Sequence, residues 1–365
     1  MEACMDFLDR LDRDISLKIL TYLEDPSDLL RASSVSRSWR NFVIVNGLWK
    51  QLCLRMFPQL SRVSHVFGLN KVSTKELVEA GSSYSKERES LERDDRAYSL
   101  LARACTSSIV RDCILQPISV SSTDNYPEES INNTLQPADI VARRVSYWLS
   151  RGQSNPVVTE RLTYKLADEF CVITEITIRP FLAYFQSGSP LYLVEAVRFR
   201  MGHPKGPMGV GNDLLSDSYP VSAYEKFIWT YTSQEFPMAQ ESCLLKFKLP
   251  EPVLCVGGIL QIELQGRVQR QEMAGSLSTR MSYVQVMGRP LSPTFGVEIL
   301  EPSGKFVLKI KHNTLVKFQT QPSIPSADHF QRRRTYFQHI LSIPTILQGN
   351  LVDDIDEIEM SEEEE

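Results

Sequence analysis

The side chains able to do chemistry are scattered. His65, His203, His312, His329 and His339 fall in different stretches of the chain, and none belongs to H-E-x-x-H or another metal-ligand spacing. The seven cysteines, Cys4, Cys53, Cys105, Cys113, Cys171, Cys243 and Cys255, are odd in number and form no C-x-x-C pair. That usage argues against a disulfide framework or a zinc site and favours a reducing compartment. There is no Gly-x-Ser-x-Gly elbow, and no cysteine sits in a protease-like context. Glu128 and Glu129 could be imagined as a glycosidase pair, but adjacent loop acids are usually solvated. The loop Gly206-Pro207-Met208-Gly209-Val210-Gly211 lacks the Lys-Ser/Thr and the strand-to-helix setting of a phosphate cradle. These residues predict no catalytic group, no metal and no cofactor.

Charge narrows the class further. The net charge of -5 is unevenly placed. Leu351 to Glu365 carry nine acids and no base, so the rest of the chain sits near +4. A body so nearly balanced argues against a general phosphate-binding surface, and no nucleic-acid partner is expected. Arg332-Arg333-Arg334, beside Tyr336 and Phe337, reads as the polar face of a short helix within 329–347. The acidic tail 351–365 is expected to be disordered. No signal-peptide core and no apolar run of membrane-spanning length is present, which predicts a soluble protein of the cytoplasm and/or nucleus.

Three textures along the chain indicate the elements that must carry any function. Residues 7–58 are dense in Leu, Ile and Trp at helical spacing. Leu11, Ile15, Ile19 and Leu23 recur every four residues and share one helical stripe, which Leu8, Leu17 and Leu20 widen to other sides. Asp12 is a candidate N-cap, Asp25-Pro26 a stop, and Ser27 or Asp28 the cap of a second short helix. A third helix carries Val35, Trp39, Phe42 and Val43, and a fourth, after Asn46-Gly47, carries Leu48, Trp49, Leu52, Leu54 and Met56 before Pro58. A helical unit of about 50 residues buries only about 60% of its unfolded surface. Apolar groups on several sides of such small helices therefore predict a partner surface.

Four blocks in this region resemble the F-box in order, spacing and type. They are Leu11-Asp12-Arg13-Asp14-Ile15-Ser16-Leu17-Lys18-Ile19-Leu20-Thr21-Tyr22-Leu23, Asp28-Leu29-Leu30-Arg31, Val35-Ser36-Arg37-Ser38-Trp39-Arg40 and Leu48-Trp49-Lys50-Gln51-Leu52-Cys53. Asp12 departs from the family, which usually has Pro there. The resemblance implies docking on a Skp-type adaptor, and through it on a cullin scaffold. It places Leu11, Ile15, Ile19, Leu29, Val35 and Trp39 in or near that interface.

Residues 59–108 are polar and helix-prone and read as a helical linker. Beyond them the texture becomes β-like. Phe170, Val172, Ile176 and Ile178 share one strand face, as do Leu191, Leu193, Val197 and Phe199. Leu245, Phe247 and Leu249 form a third run; Leu260, Ile262 and Leu264, opposite Gln261, Glu263 and Gln265, form a fourth; Val284 and Val286 mark a fifth. Gly, Pro and Ser separate them, the pattern of an antiparallel sandwich over 110–315. Ile118 to Ile131, followed by Tyr147-Trp148-Leu149-Ser150-Arg151-Gly152-Gln153, resembles the opening of a discoidin-type, galactose-binding-like jelly roll. Such folds bind sugars or proteins through loops at one end, here 122–126, 148–155, 184–190 and 201–214. Asn125, Tyr126, Arg151, Tyr184 and His203 are the candidate target contacts, whereas Trp148 reads as a buried sandwich residue.

The expected fold class is α+β multidomain, a small N-terminal all-α F-box followed by an all-β jelly-roll-like sandwich. A Pro/Ser-rich linker with a short helix (316–350) and the acidic tail would complete the chain. The resemblance, to F-box proteins of the plant type, implies a non-catalytic substrate-recognition subunit of a ubiquitin ligase with an unknown protein target. A lectin-like or protein-binding module without a ligase role is the alternative, and a carbohydrate-active enzyme, needing two carboxyls in one cleft, a third.

Overall fold

The computed structural model describes residues 7–68, 83–138, 140–141, 144–206, 226–268, 275–301 and 303–311. The expected linker 316–350, the acidic tail 351–365, the Arg332–Arg334 triplet, His312, His329, His339 and the loop from 207 to 214 lie outside them.

Five short helices open the chain: α1 (Phe7–Arg10), α2 (Arg13–Thr21), α3 (Pro26–Ser34), α4 (Arg37–Val45) and α5 (Leu48–Met56). Local chemistry sets their ends. Asp25 caps α3 by accepting from the Ser27 amide at 2.7 Å, with Pro26 in the first turn. The Asp25-Pro26 pair is thus a start signal, and neither Ser27 nor Asp28 is the cap. Ser36 caps α4 by accepting from the Trp39 amide at 3.2 Å. Gly47 enters α5 with a φ of 58°, a left-handed conformation that its missing Cβ permits. Asp12 precedes α2 without a side-chain cap; its carbonyl accepts from Ser16 at 3.0 Å.

Next come β1 (Val63–Phe67) and α6 (Ser83–Cys105). They correct the linker reading of 59–108. Ala97, Tyr98, Leu101, Ala102 and Cys105 lie on one side of α6 and are all buried. They join Trp49, Leu52 and Cys53 of α5 in a single apolar cluster, and the Cys53 thiol donates to the Tyr98 carbonyl at 3.3 Å. Burial pushes that thiol up to about 12. The polar sequence of α6 reflects only its outer face.

The remaining strands are β2 (Arg111–Asp112), β3 (Ile114–Val120), β4 (Ile140–Val141), β5 (Arg144–Val145), β6 (Trp148–Leu149), β7 (Glu160–Leu166), β8 (Phe170–Pro180) and β9 (Val194–Pro204). After them come β10 (Phe227–Thr232), β11 (Phe236–Pro237), β12 (Leu245–Val256), β13 (Ile259–Arg267), β14 (Arg280–Pro290), β15 (Phe295–Leu300) and β16 (Lys305–Ile310). One sheet has the order β10-β9-β13-β7-β3, with β11 on β9; the other runs β12-β8-β14-β2, with β6 on β14. All ladders in these two sheets are antiparallel. The sheets face each other through contacts such as Phe199 on Phe247, ring centroids 5.6 Å apart. This is the expected all-β sandwich behind a small all-α unit.

A third sheet, β1-β16-β15, returns the chain to the helices, with β1 parallel to β16. Its inward residues Phe306, Leu308 and Ile310, with Phe170, Val172, Leu254 and Val256 of the sandwich, belong to the same cluster as the helix residues. The helical unit and the sandwich therefore share one core within one compact unit.

The strand patterns hold in part: β9 begins only at Val194, so Leu191 and Leu193 precede it, and β8 is buried on both faces, Cys171 and Ile173 included. Pro250-Glu251-Pro252 does not end a strand; β12 continues through it, its register shifting between Lys248 and Val253. The polar face of β13 is not solvated. Glu263 is buried under Arg161, Arg198 and Arg200 at 3.2, 2.8 and 3.3 Å, and Gln261 donates to Thr163 at 3.1 Å.

Asp95 tests the seam between α6 and α4. Its Oδ1 is buried without a partner, and burial raises its carboxyl to about 6 although Arg40 and Arg96 pull it down. A folded-state value above the unfolded one means that the penalty exists above the folded pKa and fades as pH falls through it. Asp95→Asn is expected to raise the melting temperature by about 2 °C near pH 7.5, with the gain shrinking from about pH 6 towards 4. Thermal unfolding across that range checks this.

Candidate functional site

Two surfaces stand out among the described residues. On α2, Ser16 and Leu20 point into the core, so Ile15 and Ile19 face outward with Leu11 before them, whereas Leu23, the last member of the stripe, packs against the core. Leu11, Ile15 and Ile19 are 36%, 48% and 43% exposed, and Val35 at the end of α3 is 62% exposed. Leu30 and Tyr22 are also exposed. An apolar row of this kind on a surface helix has the character of a docking face. Leu29 is not part of it: only 1% exposed, it packs in the shared core, as its position on the inner side of α3 requires. Trp39 is half-buried against that core.

The second surface lies where the strands leave the shared core behind. Strand β8 starts at Phe170 in that core and ends at Pro180, and β14 runs the opposite way, with Arg280 at the far end. Three of the four expected loops meet there. The Trp148 indole donates to the Ser122 carbonyl at 3.1 Å, and the Arg151 amide donates to Ser122 Oγ at 3.1 Å. Trp148 is thus a buried brace, as its sequence setting indicated. Asn125 Nδ2 donates to Glu129 at 2.8 Å, and the Tyr147 hydroxyl donates to the other Glu129 oxygen. The Tyr147 ring stacks on Phe181 at 4.3 Å, and Phe181 contacts Tyr184 and Phe185 at 6.3 and 6.1 Å. Burial, and then the bond to Glu129, pushes the Tyr147 phenol well above its usual range.

Asn125, Tyr126, Arg151 and Tyr184 are therefore neighbours in one loop system, with Tyr126 and Tyr184 exposed. His203 is not with them. It follows Val194 by nine residues along the extended β9, about 30 Å at the usual rise. Its ring is buried at the core end, with Nδ1 3.0 Å from the Pro204 carbonyl and 3.7 Å from Glu301. A Cβ on Gly257 would sit 2.1 Å from that of His203, so the turn there needs a glycine. His203 packs a strand end and forms no part of a loop surface.

Arg280 and Tyr192 lie outside the loops that the sequence singles out, and Phe185, inside loop 184–190, is not among its named contacts. The Arg280 guanidinium carbon lies 4.1 Å from the Tyr192 ring centroid, 5.4 Å from Tyr147 and 5.8 Å from Phe185. The aromatic density of Phe181-Leu182-Ala183-Tyr184-Phe185 was a usable signal; nothing local marks Arg280. Beneath the loops, Glu160 accepts from Ser121, Ser122 and the buried Arg267, which also donates to the carbonyls of Arg151 and Leu277 at 3.1 and 2.9 Å. Burial raises the Glu160 carboxyl and lowers the Arg267 guanidinium, although each stabilises the other's charge.

The F-box-like family matches residues 9–55, the span of the outward row and its supporting helices. An F-box protein of Arabidopsis thaliana is 50% identical over 309 residues, covering 84% of this chain and 82% of that protein. The chain belongs to the F-box protein family. The F-box segment alone also matches F-box/WD repeat-containing protein 7 of Drosophila melanogaster, 50% identical over 48 residues, 13% of this chain and 4% of that protein. F-box proteins are in general adaptors of ubiquitin ligases. Among solved structures, a family 32 carbohydrate-binding module from C. perfringens NanJ covers 49% of this chain and 99% of itself, with 10% identity and a TM-score of 0.29. That likeness decides nothing about a ligand. Among the described residues no cluster of His, Cys, Asp or Glu could hold a metal, and no helix is long and apolar enough to cross a membrane.

The Glu160–Arg267 pair holds up the loops of this F-box protein. Arg267→Met leaves a buried carboxylate unpaired and is expected to cost about 3–5 kcal/mol in chemical denaturation. Glu160→Gln made on top of it is expected to recover part of that loss, because the uncompensated charge is gone.

Proposed function

We propose that this F-box protein is a substrate-recognition subunit of a Skp–cullin–F-box ubiquitin ligase. The outward row Leu11, Ile15, Ile19 and Val35 docks on the Skp-type adaptor, with Trp39 beneath it. The far loops, with Asn125, Tyr126, Arg151 and Tyr184, hold a protein target. What carries the reading is the disposition of exposed groups. The apolar row faces away from the core that joins the F-box to the sandwich, and the exposed aromatics lie at the opposite ends of the strands rooted in that core.

In this role the chain does no chemistry. It lowers the entropic cost of bringing a target to the charged ubiquitin carrier. The work belongs in the cytoplasm and/or nucleus, where the adaptor partners of such proteins would be met, and requires neither a membrane nor nucleic acid. Asp12 lies at the start of α2, beside the row, and its carboxylate is one determinant of adaptor affinity.

Co-purification with a Skp-type adaptor tests this directly. The triple variant Leu11→Ala, Ile15→Ala, Ile19→Ala removes exposed groups only, so its melting temperature is expected to stay near that of the parent. Adaptor affinity is expected to fall by at least about 30-fold, the scale of a lost hot spot. A folded triple variant that keeps the adaptor would contradict the proposal.

A further inference from the structure

Arg280 is 5% exposed, and its Nε and Nη1 have no hydrogen-bond acceptor. The other buried arginine among the described residues, Arg267, is paired with Glu160, and Glu263 serves three half-buried arginines at once. Arg280 has instead the rings of Tyr192, Tyr147 and Phe185 around it. Ring faces attract a cation but supply no lone pair in the guanidinium plane, so the Nε–H and Nη1–H donors stay unsatisfied. A buried charge left in this state is costly, and an incoming acceptor would remove the cost.

The surroundings describe the acceptor. Phe185 and Tyr184 are 52% and 49% exposed and meet edge to face at 5.7 Å, forming an apolar rim beside the guanidinium. Glu129 is already engaged, one oxygen by the Tyr147 hydroxyl and the other by Asn125. Its charge, next to a ring that faces Arg280, opposes a second negative charge at the site. One cation with a carboxylate close by suits a single negative charge better than a double one.

We propose that Arg280 and the Tyr184–Phe185 rim form a subsite for a carboxylate, taking an Asp or Glu side chain of the target with an apolar neighbour packed on the rim. In this proposal the half-exposed Phe185 ring, 5.8 Å from the guanidinium carbon, is the group an incoming ligand displaces. The inference rests on the reading of these loops as the target-binding end, and names the chemistry they select. A phosphorylated residue is the competing anion, and Glu129 disfavours it.

The test uses the full chain and three probes: acetyl-Phe-Glu-Phe-amide, its Gln counterpart and its phosphoserine counterpart. Binding is followed by the NMR signal of the Arg280 Nε–Hε group, assigned by its absence in Arg280→Gln, and by the ring signals of Tyr184. The Glu peptide is expected to shift both signals and to bind at least about tenfold more tightly than the Gln peptide, with phosphoserine the weaker anion. Arg280→Gln is expected to abolish the difference between the Glu and Gln peptides, and Phe185→Ala to weaken all three. Equal affinity for Glu and Gln peptides, or tighter binding of phosphoserine, overturns the subsite. If Tyr184 still responds to all three peptides alike, the loops bind peptide without selecting an acid and the broader reading survives. If neither Tyr184 nor Arg280 responds, both fail. The comparison in the parent protein stands whatever the stability of the variants.

Discussion

The structure depends on one apolar contact, the meeting of α5 and α6 with the sandwich strands. Trp49, Leu52, Tyr98 and Leu101 from the helices share a core with Phe170, Leu254, Phe306 and Leu308 from the sheets. A unit of about 50 helical residues has too little interior of its own to bury its large side chains. Here one side of it is covered by α6 and the sandwich, and the other is left as the exposed row on α2. The same shortage of interior thus explains the joint and the docking face. The third sheet secures the joint, because β16 brings the chain back from the sandwich to pair with β1 beside the helices.

A joint made this way has a mechanical consequence. Strand β8 is rooted in the shared core at Phe170 and delivers its other end, ten residues on at Pro180, to the loops, a reach of roughly 33 Å. Inter-domain contacts that are large and apolar suppress the hinge motion expected of loosely tethered domains. In the proposed reading, adaptor and target are then held at a set separation by packed secondary structure. The loops at the far end are themselves braced from below by Trp148 and by the Glu160–Arg267 pair, so their exposed aromatics stand on a fixed base.

Much of this was legible from local pattern. The four-residue period of Leu11, Ile15 and Ile19, the alternation at the start of β12 and the burial of Trp148 all follow from spacing and neighbours. What pattern could not supply was direction and distance. Periodicity shows that α2 has a stripe, but only packing shows that Leu20 goes in and Ile15 out. Leu29 and His203 were placed on binding surfaces by their blocks and lie in interiors, because the partner that buries each comes from elsewhere in the chain. Residues 59–108 looked like a spacer since the charged outer face of α6 outnumbers its apolar one. Arg280 was invisible for the same reason: its rings come from Tyr147, Phe185 and Tyr192, far away in sequence.

The central claim, that F-box and sandwich unfold as one body through their common core, is tested most directly by Leu101→Ala on α6, followed by native-state hydrogen exchange. Removing this fully buried side chain is expected to cost about 2–5 kcal/mol. The most protected amides of α5 and of β8 are expected to lose the same amount of protection. Loss confined to the helices, with β8 unchanged, would contradict the claim.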